Sequence, residues 1–255
     1  MIVAAALCPS PPLLAGVLTG QAEVLPELSA ACATAVARLL AAAPDVIAVA
    51  GPASATGPGD PDGALSLASY APALRAGAPP RGGRFLGDNS KKHAARPAAL
   101  PLSLGIGALL LDEAGYQGPR AFQAVAGYEP PAGCLALGER IAASAPRVAL
   151  LAMGDGSARR SVSAPGYLDE RAAPFDEAVE RAVRDGDLPA IAALDPALAA
   201  DLLAAGRPAW QVLAGALFAG QPAVGGPAAG GRVQAEVLYS GAPLGVAYLV
   251  ATLVP

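Results

Sequence analysis

The sequence predicts an α/β fold: one domain over residues 1–255, with a central mixed, largely parallel sheet flanked by helices. Three observations carry this reading. Short apolar runs bounded by Pro, Gly or charge, at Ile2–Leu7, Asp45–Ala50 and Arg147–Met153, read as strands buried on both faces. Longer stretches between them repeat apolar residues every three or four positions, as in Leu28, Cys32, Val36 and Leu39, which is the helical period. The composition is 54% hydrophobic and 15% charged, enough apolar surface to offset the entropy of ordering the chain. An α/β fold of this length commonly forms one domain.

Taken in order, the first strand ends at Pro9, Pro11 and Pro12, and a helix over 25–43 crosses over to the second, which stops at Gly51-Pro52. Such a crossover is right-handed. Residues 56–83 are turn-rich, with Gly57-Pro58-Gly59 read as loop and LSLASYAPAL as a weak strand. The most polar window, GDNSKKHAARP at 87–97, reads as an exposed loop. A helix over Leu102–Gly115 ends on a glycine cap, followed by a strand at Gln123–Gly127, a helix at Gly133–Ala145 and the strand Arg147–Met153. The segment Ala173–Asp185 is an amphipathic helix with Phe175, Val179 and Val183 on one face. Two short helices follow, then one over Trp210–Phe218 with Trp210 as a core anchor. Finally, Gln234–Leu238 and Val246–Leu253 pair as a hairpin across SGAPLG.

Several function classes are disfavoured by composition alone. A net charge of −4 and scattered basic residues give no positive field for a phosphate backbone, so no nucleic-acid partner is expected. Cys8, Cys32 and Cys134 lie far apart without CxxC spacing, which suggests neither a disulfide framework nor a zinc site and fits a reducing cytoplasm. The apolar stretch Met1–Leu18 lacks a positive leader and is broken by prolines, so neither a signal peptide nor a membrane span is expected. His93 is the only histidine, too few for a histidine-rich metal centre.

Ligands of open α/β sheets bind beyond the carboxyl ends of the strands, so the loops after Leu7, Ala50 and Met153 are expected to converge. The third loop, GDGSARRS, offers backbone N–H groups with Arg159 and Arg160 to an anion. It lacks the GK[ST] of a phosphate loop, and a structural turn with surface arginines is the plainer reading. Ser157 is not in a GxSxG setting and the sole histidine lies in the polar window. Glu236 is an acid in the apolar run AEVLY, either a buried functional group or an outward-facing strand residue.

In segment order the chain resembles the class III extradiol dioxygenase catalytic-subunit family (LigB-like), which includes the MEMO-type proteins. The resemblance rests on AALCPSPPLL, VIAVAGPAS, LLAMGDGSARRS, the FDEAVERAVRDGDLPAIAALD region, AGRPAWQVLAGAL and AEVLYSGAPLGVAYLVA. It implies a LigB/MEMO-like fold and, in the enzymes, iron held by a first-loop histidine, a second-strand histidine and a late glutamate, with a further histidine as acid/base. Here the first position corresponds to Ser10, the second to Ala53 or Ser54, and the acid/base position to Ala158. Glu236 is the remaining acid, and Ala205 stands where MEMO-type members often carry cysteine. Hydroxyls and methyls cannot replace two neutral imidazoles around ferrous iron.

The expectation is therefore a non-catalytic member with no catalytic residues, no metal and no cofactor, the family's iron having been lost. Ser10, Ser54, Asp155, Ser157 and Glu236 form the candidate remnant pocket for a small polar ligand, or the surface serves a protein partner. The family often self-associates, and an alanine-rich surface permits a homo-oligomer. The competing expectation is an oxidoreductase or hydrolase using Asp155, Ser157 and Glu236 with a metal held by carboxylates.

Overall fold

A computed structural model describes residues 1–18, 24–67, 70, 98–219 and 233–255. His93 and the whole 87–97 window lie outside the described residues, as does most of LSLASYAPAL. The strands are β1 (Ile2–Cys8), β2 (Val46–Ala53), β3 (Gly57–Gly59), β4 (Ala64–Leu65), β5 (Ala99–Leu100), β6 (Arg120–Ala126), β7 (Val148–Met153), β8 (Gln234–Gly241) and β9 (Tyr248–Val254). The helices are α1 (Pro26–Ala41), α2 (Leu102–Glu113), α3 (Pro131–Ala142), α4 (Ala172–Arg184), α5 (Leu188–Ala192), α6 (Pro196–Asp201) and α7 (Arg207–Phe218).

Seven strands form one sheet in the order β3-β6-β2-β7-β1-β9-β8, and β4 pairs with β5 separately. The four middle strands β6, β2, β7 and β1 run parallel, while β3, β9 and β8 are added antiparallel at the two sides. The alternation of β7 explains why its sequence is apolar throughout. Val148, Leu150 and Ala152 enter the core shared with α3 to α7, and Ala149, Leu151 and Met153 enter the core shared with α1 and α2. A strand covered by helices on both faces has no polar side to present.

Small residues let the helices approach closely. A methyl group at Gly138 of α3 would lie 2.1 Å from the Val212 carbonyl oxygen of α7, and one at Gly215 would lie 2.3 Å from the Leu135 carbonyl oxygen. The two helix backbones thus touch through reciprocal glycines. Trp210, 2% exposed, anchors α7 in the same core, as the sequence predicts.

Several expectations change in detail, among them that the last long helix starts at Arg207 and the eighth strand runs on to Gly241. Gly57-Pro58-Gly59 is a short edge strand paired antiparallel with β6 rather than loop; Pro58 fits there because an edge position does not need its missing N–H. The second strand runs on through Gly51 and Pro52 to Ala53 because β6 pairs with it along that whole length. The sixth strand begins at Arg120, three residues before the expected start, since Arg120 pairs with Ile47. Among the described residues no helix is long and apolar enough to cross a membrane.

Candidate functional site

The parallel strands deliver four loops to one edge of the sheet, after Cys8, Ala53, Ala126 and Met153. Because β7 lies between β1 and β2, the loops predicted to converge do so. The loops after β1 and β7 are tied together: the Gly154 N–H donates to the Cys8 carbonyl at 2.9 Å, and the Ser10 N–H donates to Asp155 Oδ1 at 2.7 Å. Asp155 in turn accepts the Gly206 N–H on its backbone carbonyl at 2.8 Å. Gly154 and Gly206 meet so closely that a methyl group at Gly154 would stand 2.3 Å from the Gly206 Cα. The start of α7 therefore closes one side of the site.

The last strand closes another. The β1–β9 ladder pairs Ala5 with Leu253, Ala6 with Thr252 and Leu7 with Ala251, which brings the start of β9 toward the loop after β1, and the charge of Asp155 reaches Tyr248. Ser10 and Tyr248 are 6% and 4% exposed. Among the described residues neither Ser10 Oγ nor Tyr248 Oη has a hydrogen-bond partner, and neither is among the sealed, unpartnered polar atoms, of which Arg159 Nε is the example. Their oxygens consequently open onto accessible space at the strand ends.

Charge at this edge is unbalanced. Burial pushes the Asp155 carboxyl from its ordinary value of 3.8 up to about 6, and the Ser10 N–H is the opposing influence; among the described residues no cation contributes. Tyr248 is pushed up to about 12 by burial first, then by the negative charge of Asp155 and by Tyr239. The two side chains thus share one weakly solvated environment. Three of the described arginines nearby are engaged elsewhere. Arg160 pairs with Asp176 at 3.0 Å, and Arg171 pairs with Asp169 and Asp201. Arg207, buried at the start of α7, donates to the Glu129 carbonyl at 2.7 Å, to Gln211 Oε1 at 2.9 Å and to the Gly127 carbonyl.

The GDGSARRS loop is a structural turn and not an anion cradle. Its N–H groups at Gly154, Gly156, Ala158 and Arg160 all donate to backbone carbonyls, and that of Ser157 donates to Asp176 Oδ1 at 2.9 Å. The Ser157 hydroxyl donates to Asp176 Oδ2 at 2.5 Å. The hydroxyl is fully buried and its carboxylate partner is also paired with Arg160, so the nucleophile expectation has no geometric support.

The five residues expected to form one pocket are therefore separated. Ser10 and Asp155 meet. Ser54 is exposed just past the end of β2, and Ser157 turns toward α4. Glu236 is an exposed strand residue gripped by Arg38 of α1 at 2.6 and 3.1 Å, with Arg38 also donating to Thr252 Oγ1 at 3.0 Å. Three strand steps separate β8 from β7, roughly 14 Å at about 4.8 Å per step. The Arg38 guanidinium holds the Glu236 carboxyl below its usual range, as for an ordinary surface ion pair.

Iron of the kind the resemblance implies does not fit this donor set. Ser10, Ala53, Ser54 and Ala158 supply no imidazole, Glu236 is tied to Arg38, and among the described residues no three His, Cys, Asp or Glu side chains converge. Sequence reasoning missed Tyr248, Asp176 and Arg207. The signal for Asp176 lay in the polar face of the FDEAVERAVRD helix. Tyr248 sat in an apolar strand where an aromatic residue needs no special role, and Arg207 gave no sign of its burial.

The chain matches no protein-family model, and no curated protein matches it. Among solved structures it is similar to the uncharacterized protein JW3007 from Escherichia coli K12, at 12% identity and a TM-score of 0.52, over 99% of this chain and 100% of that one. At that identity the likeness establishes the single-domain α/β fold with its mixed, largely parallel sheet.

Proposed function

We propose that this is a LigB-like protein without the family's iron chemistry, which binds a small polar ligand at the sheet edge through Ser10, Asp155 and Tyr248. The observation that carries the reading is a half-buried carboxyl beside two hydroxyls that are more than nine-tenths buried yet have no partner among the described residues. Buried polar groups ordinarily find partners, so two unpartnered hydroxyls beside a carboxyl with a single hydrogen bond are the features of a binding site. Further support comes from the Ser10 loop, the GDGS loop and the Ala205-Gly206 turn. The resemblance makes these segments walls of one site, and they lie in contact here. The carboxylate-metal enzyme is disfavoured, because Ser157 and Glu236 face other partners. Three free, buried cysteines fit a reducing compartment, and we place the protein in the cytoplasm.

The test combines metal analysis, oxygen uptake with catechol and ligand titration followed by the fluorescence of Trp210, whose ring lies against Gly206. The reading expects no stoichiometric iron, no ring cleavage, and binding of small hydroxylated or amino probes that weakens in Y248F and D155N. Stoichiometric iron with ring cleavage would sink it.

A further inference from the structure

Resting on that reading, we infer that the site selects a small organic cation, a ligand presenting an ammonium or amidinium group to Asp155 with its neighbouring polar atoms toward Ser10 Oγ and Tyr248 Oη. Among the described residues the charge of Asp155 is left unmatched. Asp155 makes a single side-chain hydrogen bond, from the Ser10 N–H to Oδ1, which leaves Oδ2 without a donor among the described residues. A carboxylate withdrawn from water normally acquires a cation or several hydrogen bonds. Among the described residues, the neighbouring arginines are committed: Arg160 to Asp176, Arg207 to Glu129, Gly127 and Gln211, and Arg171 to Asp169 and Asp201. Arg159 acts on Asp169.

The same arrangement rejects anions. Five N–H groups of the 154–160 loop already donate within the protein, so an incoming carboxylate or phosphate would meet Asp155 with no donor cluster to offset the repulsion. A neutral alcohol can donate to Oδ2 but brings no charge. A cation brings both, and charge-assisted hydrogen bonds are about twice as strong as neutral ones. Tyr248 Oη can serve a ligand oxygen as donor or an ammonium as acceptor, so it does not set the sign. Asp155 does.

Three probes sharing one ring separate these outcomes: benzylammonium, benzyl alcohol and benzoate, titrated into the full chain at neutral pH by calorimetry and Trp210 fluorescence. Benzylammonium is expected to bind about tenfold or more tighter than benzyl alcohol, with benzoate weakest, the ratio corresponding to one added charge-assisted contact. In D155N, whose folding is verified by its unfolding curve, the cation preference should vanish while benzyl alcohol still binds. Equal binding of benzylammonium and benzyl alcohol to the unmodified protein overturns the charge assignment and leaves the ligand site standing. Failure of all three to bind overturns both. A cation preference that survives in D155N places the selective charge elsewhere and overturns the assignment to Asp155.

Discussion

Replacing Asp155 by asparagine should stabilise this protein at neutral pH. Asparagine keeps the shape of the side chain and an Oδ1 that can accept the Ser10 N–H, so the link between the β1 and β7 loops survives. What disappears is the ionisable group. Its rise from 3.8 to about 6 is about two units at about 1.4 kcal/mol each. Because part of the residue reaches solvent, the linked free energy is about 2 to 3 kcal/mol. The sign follows from proton counts. Between 3.8 and about 6 the native protein holds a proton that the unfolded chain has released, so stability falls as pH rises through this window. The contribution is complete below 3.8 and gone above about 6. Tyr248, pushed up to about 12, remains neutral throughout and does not add to the slope.

Urea unfolding of both proteins, followed by Trp210 fluorescence at intervals from about pH 4 to 8, isolates this one group because all other carboxyls contribute equally to the two curves. The two should be nearly equal at the acid end, with D155N ahead by about 2 to 3 kcal/mol at neutral pH. Curves that stay parallel, or a D155N protein that is the weaker one at neutral pH, would refute the account of a desolvated, unpaired carboxylate.

Other substitutions probe the frame around the site. D176A strands the Ser157 hydroxyl, the Ser157 N–H and Arg160 together, and should cost about 3 to 4 kcal/mol in denaturant unfolding; S157A, which removes a single donor, should cost about 1 to 2 kcal/mol, and the reverse order would contradict the network. R207M leaves the Gly127 and Glu129 carbonyls and Gln211 Oε1 without their donor, and a loss of about 2 to 4 kcal/mol is expected, with R207K intermediate by the same assay. G138A drives a methyl group into the α7 backbone and should cost about 3 kcal/mol or more, read as a large fall in Tm; an unchanged Tm would show that α3 and α7 are not in backbone contact.

How much of this was legible in the sequence depends on whether local pattern or distant contact decides each feature. The buried strand Arg147–Met153 and the helix carrying Phe175, Val179 and Val183 could be read because their periodicity reports directly on what covers them. Gly57-Pro58-Gly59 could not, since three residues with no side-chain pattern become a strand only through the neighbouring edge of β6. The same division runs through the site. Asp155 was found because a polar residue just past a buried strand is conspicuous, and convergence with Ser10 follows from strand order. Glu236 stood out for the same reason in AEVLY, but its partner is Arg38, 198 positions earlier in the chain. Nothing local distinguishes an acid that faces a cleft from one that meets a helix on the sheet's outer strand. Tyr248 was invisible for the opposite reason: its importance comes from its nearness to Asp155, not from its neighbours in sequence.

The separation of Glu236 from Asp155 bears on what kind of site this is. If the chain had merely lost its imidazoles from an otherwise unchanged metal centre, the remaining acids would be expected to face one another across the vacated space. Instead the two acids differ, one neutralised on the surface by Arg38, the other drawn in and without a cation among the described residues. A loop staple between β1 and β7 needs only a neutral acceptor, which asparagine provides without the linked penalty. An ionisable group that weakens the fold at neutral pH is what the proposed cation site requires, because a bound cation would offset that charge.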